Sequence, residues 1–62
     1  MLSMITVQEF MLLFRSKIRV DVITTSGTYS YRENELFNVT KDFGNRCIYC
    51  FKIEDDILKI EL

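Results

Sequence analysis

Histidine and proline are absent from this chain of 62 residues, glycine and cysteine occur twice each, and there is no block of like charges. Each absence removes a class of function. Without histidine, no side chain has an unperturbed pKa near neutrality, so general acid–base catalysis lacks its usual agent. Ser3, Ser26 and Ser30 have no base to activate them. Two cysteines without histidine fall short of the four ligands of a structural zinc site. Two isolated glycines, Gly27 and Gly44, do not make a phosphate-cradling loop and mark turns instead.

Long apolar runs are also missing. The longest, Phe10 to Phe14, is far short of the about 20 residues a bilayer requires. Gln8 and Glu9 interrupt the apolar N-terminal region, and the positive charges follow it, which is the wrong order for a signal peptide. A cytoplasmic protein with no membrane association is therefore expected, and the glycosylation triplet Asn38-Val39-Thr40 has no role there. A net charge of −1 lacks the basic excess of a dedicated nucleic-acid binder, because phosphate contacts supply most of such affinity. The densest positive stretch, Arg15, Lys17 and Arg19, is followed at once by Asp21.

What is present is an ordinary globular composition, 48% hydrophobic and 27% charged. A chain of this length forms one domain, residues 1–62, whose stability as a monomer is about 5 kcal/mol or less. Such a core does not enclose a substrate and still hold itself together, so neither an enzyme nor a bound cofactor is expected.

Thr6 and Glu9 form the capping box T-x-x-E, with Ile5 and Phe10 placed as a hydrophobic staple across it. Val7, Phe10, Met11 and Phe14 then follow at helical spacing, which predicts a helix over Thr6 to Arg15 with Leu12 and Leu13 off its apolar stripe. From Lys17 the period changes to two. Ile18, Val20, Val22 and Thr24 share one face of a strand. A two-residue loop at Ser26-Gly27 returns it, pairing Val22 with Tyr31, Thr24 with Tyr29 and Asp21 with Arg32.

Residues Glu33 to Asn45 carry the weakest pattern: a helical turn closed by Gly44 with Phe43 inward, or a short strand through Phe37 and Val39. The chain ends in a second hairpin turning at Asp55-Asp56, which pairs Ile53 with Leu58, Phe51 with Ile60 and Tyr49 with Leu62. The expected class is α+β. An N-terminal helix packs on one face of a three- to four-stranded antiparallel sheet made of the two hairpins.

Cys47 and Cys50 are the most conspicuous motif, and strand geometry argues against joint chemistry. Residues three apart in a strand point to opposite faces at about 10 Å, whereas a disulfide spans at most about 7 Å between Cα atoms. Cys47 is expected in the core with Tyr49 and Phe51, and Cys50 on the other face with Ile48, where any disulfide or metal would link two chains. Tyr29, Tyr31, Tyr49 and Phe51 resemble a base-stacking platform, but their face is the one the helix should cover. Glu54, Asp55 and Asp56 lack the spacing of a calcium loop.

What remains is apolar surface in excess of one core. Ile23, Ile48, Cys50 and Ile57, with Arg32 beside them, fall on the open sheet face, and Leu12 and Leu13 lie off the helix stripe. These seven residues form the candidate interaction surface of a non-enzymatic module that binds a protein partner, including a second copy of itself. The alternative is a nucleic-acid binder using Arg15, Lys17, Arg19, Arg32 and Arg46.

The segments "ITVQEFM" and "CFKIEDDILKIEL", joined by an alternating strand and hairpin, resemble small uncharacterised proteins of phages and mobile elements in Gram-positive bacteria. In those, a "TVxEF" helix leads to a chain ending in an alternating "I-E-D-x-I-L-x-I" hairpin. The resemblance implies this fold and an accessory role in a phage or element; it brings no active site.

Overall fold

The computed structural model describes residues 5–14 and 17–62 of the chain. Along it run α1 (Val7–Leu13), β1 (Arg19–Thr24), β2 (Gly27–Tyr31), α2 (Leu36–Phe43), β3 (Cys50–Glu54) and β4 (Ile57–Glu61). The class is α+β: two helices on one face of a four-stranded sheet in the order β2-β1-β4-β3. The expected helix end at Arg15 lies outside the described residues.

The capping box forms as its residue types require. The Thr6 hydroxyl accepts from the Glu9 N–H at 3.2 Å, and the Glu9 carboxylate accepts from the Thr6 N–H at 3.0 Å. Two further N–H groups of the first turn, which no helix can satisfy itself, find carbonyls beyond α2. Val7 donates to Arg46 at 2.9 Å and Gln8 to Gly44 at 3.1 Å. The end of α2 therefore seats the start of α1. Gly44 is buried at this junction, and a Cβ there would run into the Thr40 carbonyl oxygen.

The weakly patterned region is a helix. Leu36, Val39 and Phe43 fall at i, i+3 and i+7, giving α2 an apolar stripe with Val39 fully buried and Phe43 half-buried. Glu35 precedes it, and its carboxylate accepts from the Arg32 N–H at 3.1 Å, closing the turn that leaves β2. There is no strand through Phe37 and Val39.

The sheet is mixed rather than wholly antiparallel. Each hairpin is antiparallel, but the two meet through β1 and β4, which run parallel with Val20 opposite Leu58 and Val22 opposite Ile60. A parallel pairing requires a crossover of a dozen or more residues, and the long connection through α2 supplies it. These four side chains are fully buried, and with Val7, Val39 and Ile48 they form the core.

The first hairpin is shifted by two residues from the expected register. Its loop is Thr25-Ser26, Val22 faces Tyr29, Val20 faces Tyr31, and Asp21 faces Ser30 instead of Arg32. A shift of two keeps every side chain on its face. Local bonding selects this loop: the Thr24 hydroxyl accepts from the Ser26 N–H and donates to the Gly27 carbonyl, both at 3.0 Å. Gly27 takes the positive φ of 141°. The second hairpin pairs Ile53 with Leu58 and Phe51 with Ile60 as expected, but not Tyr49 with Leu62; it turns through Asp55 and Asp56 at φ 55° and 60°, a type I′ geometry that aspartate tolerates.

Between these parts the expected strand alternation fails. Ile48 is buried in the core, whereas Cys47 and Tyr49 are exposed. The cause is a bulge. Tyr49 donates its N–H to the Glu61 carbonyl at 2.8 Å, yet Cys50 is the residue paired with Glu61, so two residues oppose one. The extra residue inverts the parity upstream of β3. Segment 46–48 instead flanks the entry to α1, with Thr6 bridging Cys47 and Ile48 donating to Ile5 at 2.9 Å.

Ile48 is thus a core residue, not a surface one. Ile48→Asp is expected to abolish the fold, because a buried unpaired carboxylate costs more than the about 5 kcal/mol available to a domain of this size. Far-UV circular dichroism should show an unfolded chain; a native spectrum would contradict the placement.

Candidate interaction surface

The open face of the sheet can be read row by row from the strand registers. Arg19, Ile57 and Glu54 share one row; Ser30, Asp21, Lys59 and Lys52 the next; Thr28, Ile23, Glu61 and Cys50 the third. Ile23 and Ile57 are therefore separated by a charged row, about 13 Å apart along the strands. Both are half-buried among polar neighbours. Of the candidate residues on this face, Ile48 has gone to the core, Arg32 lies beyond β2 on an exposed turn, and Ile23, Cys50 and Ile57 are not brought together. An apolar contact surface does not form here.

The charges of this face are organised. Lys59 donates to the Glu54 carboxylate at 2.8 Å, and Lys52 approaches the same oxygen at 3.9 Å. Lys59 pulls the Glu54 carboxyl below its ordinary pKa, and Glu54 raises that of Lys59. Cys50 donates its thiol to Glu61 at 3.1 Å, and this bond, with the nearby negative charge, holds the thiol above its ordinary pKa. Cys50 is thereby kept protonated and poorly nucleophilic. Cys47 is likewise a free, exposed thiol, and among the described residues no three metal-ligating side chains converge.

Of the basic residues of the alternative reading, Arg19 and Arg32 flank the Val20–Tyr31 pair at one end of the first hairpin. Arg19 is in register with Ile57 at the acidic hairpin tip. Arg46 follows α2, where its carbonyl accepts from Val7 at the start of α1. Arg15 lies outside the described residues.

Three of the four platform aromatics do face the helical layer. Tyr29 and Tyr31 pack on Phe43, at centroid distances of 5.3 and 6.5 Å, and Phe51 packs on Phe10 at 4.7 Å. Tyr49, moved by the bulge, does not join them. The Tyr31 hydroxyl donates to Asp42 of α2 at 2.8 Å, and its pKa is pushed up to about 12, first by burial and then by this bond. A phenol whose folded pKa is raised contributes stability that is present below about pH 10 and lost as pH rises through 12.

Apolar exposure is concentrated on the helix side. α2 lies over β1 and β2, and α1 lies beside α2. Helices of seven and eight residues are about 10 and 12 Å long, too short to roof strands of about 17 Å. Coverage fails at β3. Phe51 and Ile53 occupy core-side positions opposite the buried Ile60 and Leu58, yet are 53% and 58% exposed. From them an apolar band runs through Phe10, which stacks on Phe14 at 5.8 Å, to an open cleft between α1 and α2. This cleft, of about 350 Å³, is lined by Met11, Leu12, Phe14, Leu36 and Phe37, with Gln8 and Thr40 as its polar groups. Leu12 and Phe37 are 71% and 73% exposed, and Leu13 beside them is equally open.

Of the candidate residues, Leu12 lines this apolar cleft, and Leu13, next to it in sequence, is exposed. Phe37, Phe51 and Ile53 belong with them but were not among the expected residues. Phe37 needed α2 to be recognised; Phe51 and Ile53 have a core pattern that reveals nothing about the reach of the helices.

Comparison of the chain with protein-family models, curated proteins and solved structures finds no match. No helix among the described residues is long and apolar enough to cross a membrane.

The Cys50–Glu61 contact is open to a direct test. Glu61→Gln removes the negative charge that holds the thiol protonated, so alkylation of Cys50 by iodoacetamide near pH 8 should quicken, as read by peptide mass spectrometry with Cys47 as internal reference. An unchanged rate would contradict the contact.

Proposed function

We propose that this chain is a non-enzymatic protein-interaction module whose contact surface is the helix-side band rather than the open sheet face. The observation that carries this reading is the cleft between α1 and α2, apolar within and flanked by Leu12 and Phe37, each more than two-thirds exposed. Large apolar side chains beside an apolar groove are the arrangement by which helices and extended peptides are anchored. The lining contains no charged group, so recognition there rests on apolar burial, with Gln8 and Thr40 to fix orientation. A cytoplasmic site of action, and an accessory role in a phage or mobile element as the resemblance above implies, belong to the same proposal.

Phe37 is largely exposed, so Phe37→Lys should leave the fold intact while placing a charge in the cleft. In a pull-down from host lysate, a protein retained by the parent chain at 0.5 M salt should be lost with Phe37→Lys. Identical protein profiles for the two chains would contradict the reading. Recovery of nucleic acid that disappears as salt is raised would favour the alternative, since phosphate binding weakens steeply with salt.

A further inference from the structure

The bare margin at β3 has a different character from the cleft, and its charges define what fits it. β3 is an edge strand. Its two-residue turn makes Glu54 and Ile57 a hydrogen-bonded pair, so by alternation Phe51 and Ile53 direct their N–H and C=O groups away from β4. The same two residues present the exposed apolar side chains on the helix side. On the open side, Lys52 stands directly opposite Lys59, and both draw on the single carboxylate of Glu54. The edge thus has free backbone groups, exposed apolar side chains on the helix side, and a lysine and a glutamate two residues apart on the open side. At the other edge the helix-side residues of β2, Tyr29 and Tyr31, pack on Phe43 of α2; Tyr31 is half-buried and Tyr29 44% exposed, so the β3 edge is the more open of the two.

From this combination we infer that a second copy of the chain pairs antiparallel along β3, about a two-fold axis at Ile53, making one continuous eight-stranded sheet. The inference rests on the reading of the protein as a contact module and assigns one of its partners. Registers compatible with the axis keep each side chain on its own face, so they are centred on Phe51, Lys52 or Ile53. Centring on Lys52 sets two lysines face to face. Centring on Phe51 sets Ile53 opposite Tyr49 of the other copy, whose N–H is already bonded to the Glu61 carbonyl. Centring on Ile53 sets Lys52 opposite Glu54 of the other copy, twice by symmetry, so that opposite charges face each other across the seam and no two lysines meet there. Ile53 meets its counterpart on the helix side, with Phe51 diagonal to it and Phe10 behind. In this register the two Cys50 residues lie about 20 Å apart, so the pairing requires no disulfide.

Charge reversal tests the register. Sedimentation equilibrium of the parent chain in reductant is expected to give twice the 7.4 kDa chain mass. Lys52→Glu and Glu54→Lys each create two like-charge oppositions and should each raise the dimer dissociation constant by about tenfold or more. The double variant Lys52→Glu/Glu54→Lys restores both pairs in swapped order and should recover the parent value. Circular dichroism verifies that each variant is folded. A monomeric parent, single variants that dimerise as the parent does, or a double variant that fails to recover would each overturn the inference. None of these results touches capture at the cleft, which Phe37→Lys reports separately.

Discussion

The parallel pairing of β1 with β4 is the contact on which the rest of the molecule depends. It brings Val20 and Val22 from one hairpin against Leu58 and Ile60 from the other, and all four are fully buried. An isolated two-stranded hairpin is marginal in water, so neither half has independent stability. Joining them fixes the place of α2, whose crossover permits the parallel direction and whose Val39 closes the core from above. It also fixes α1, because the carbonyls of Gly44 and Arg46 after α2 hold the first turn of that helix. The order of dependence runs from the central strands outward.

The same arrangement explains why so much apolar surface is left over. A chain of 62 residues that spends four segments on a sheet has two short helices with which to roof it. They cover the β1–β2 side, where Phe43 meets both tyrosines and Tyr31 is tied to Asp42. On the β3 side Phe10 reaches Phe51, while Ile53 has no cover among the described residues. Exposure at Phe51 and Ile53 is thus a geometrical consequence of the layer's size, and exposure at Leu12, Leu13 and Phe37 follows from helices whose apolar residues exceed one stripe. Side chains left in water contribute nothing to a fold with little stability to spare, and this surplus apolar surface is the ground of the proposed partner.

Much of the local structure was legible in the sequence because its determinants are local. The capping box needs two residues at fixed spacing, and Thr6 and Glu9 make it. The second hairpin was specified by alternation and an aspartate pair able to adopt left-handed φ. The first was less constrained, since shifts of two residues preserve the face pattern, and the hydroxyl of Thr24 decided between them. Non-local features were hidden. The direction of β1 relative to β4 depends on α2, whose stripe is only three residues, and the bulge at Tyr49 and Cys50 has no sequence signature. That bulge alone exchanged the places of Cys47 and Ile48, and with them one residue of the expected contact surface. The exposure of Leu12 and Leu13 was legible because a helix stripe shows directly which residues it omits.

Native-state hydrogen exchange followed residue by residue tests the primacy of the central pair most directly. The slowest amides should lie in β1 and β4, and both strands should lose protection together, at the free energy of global unfolding. Protection that persists in the β3–β4 hairpin after β1 has opened would contradict it, because one hairpin would then be holding its structure without the other.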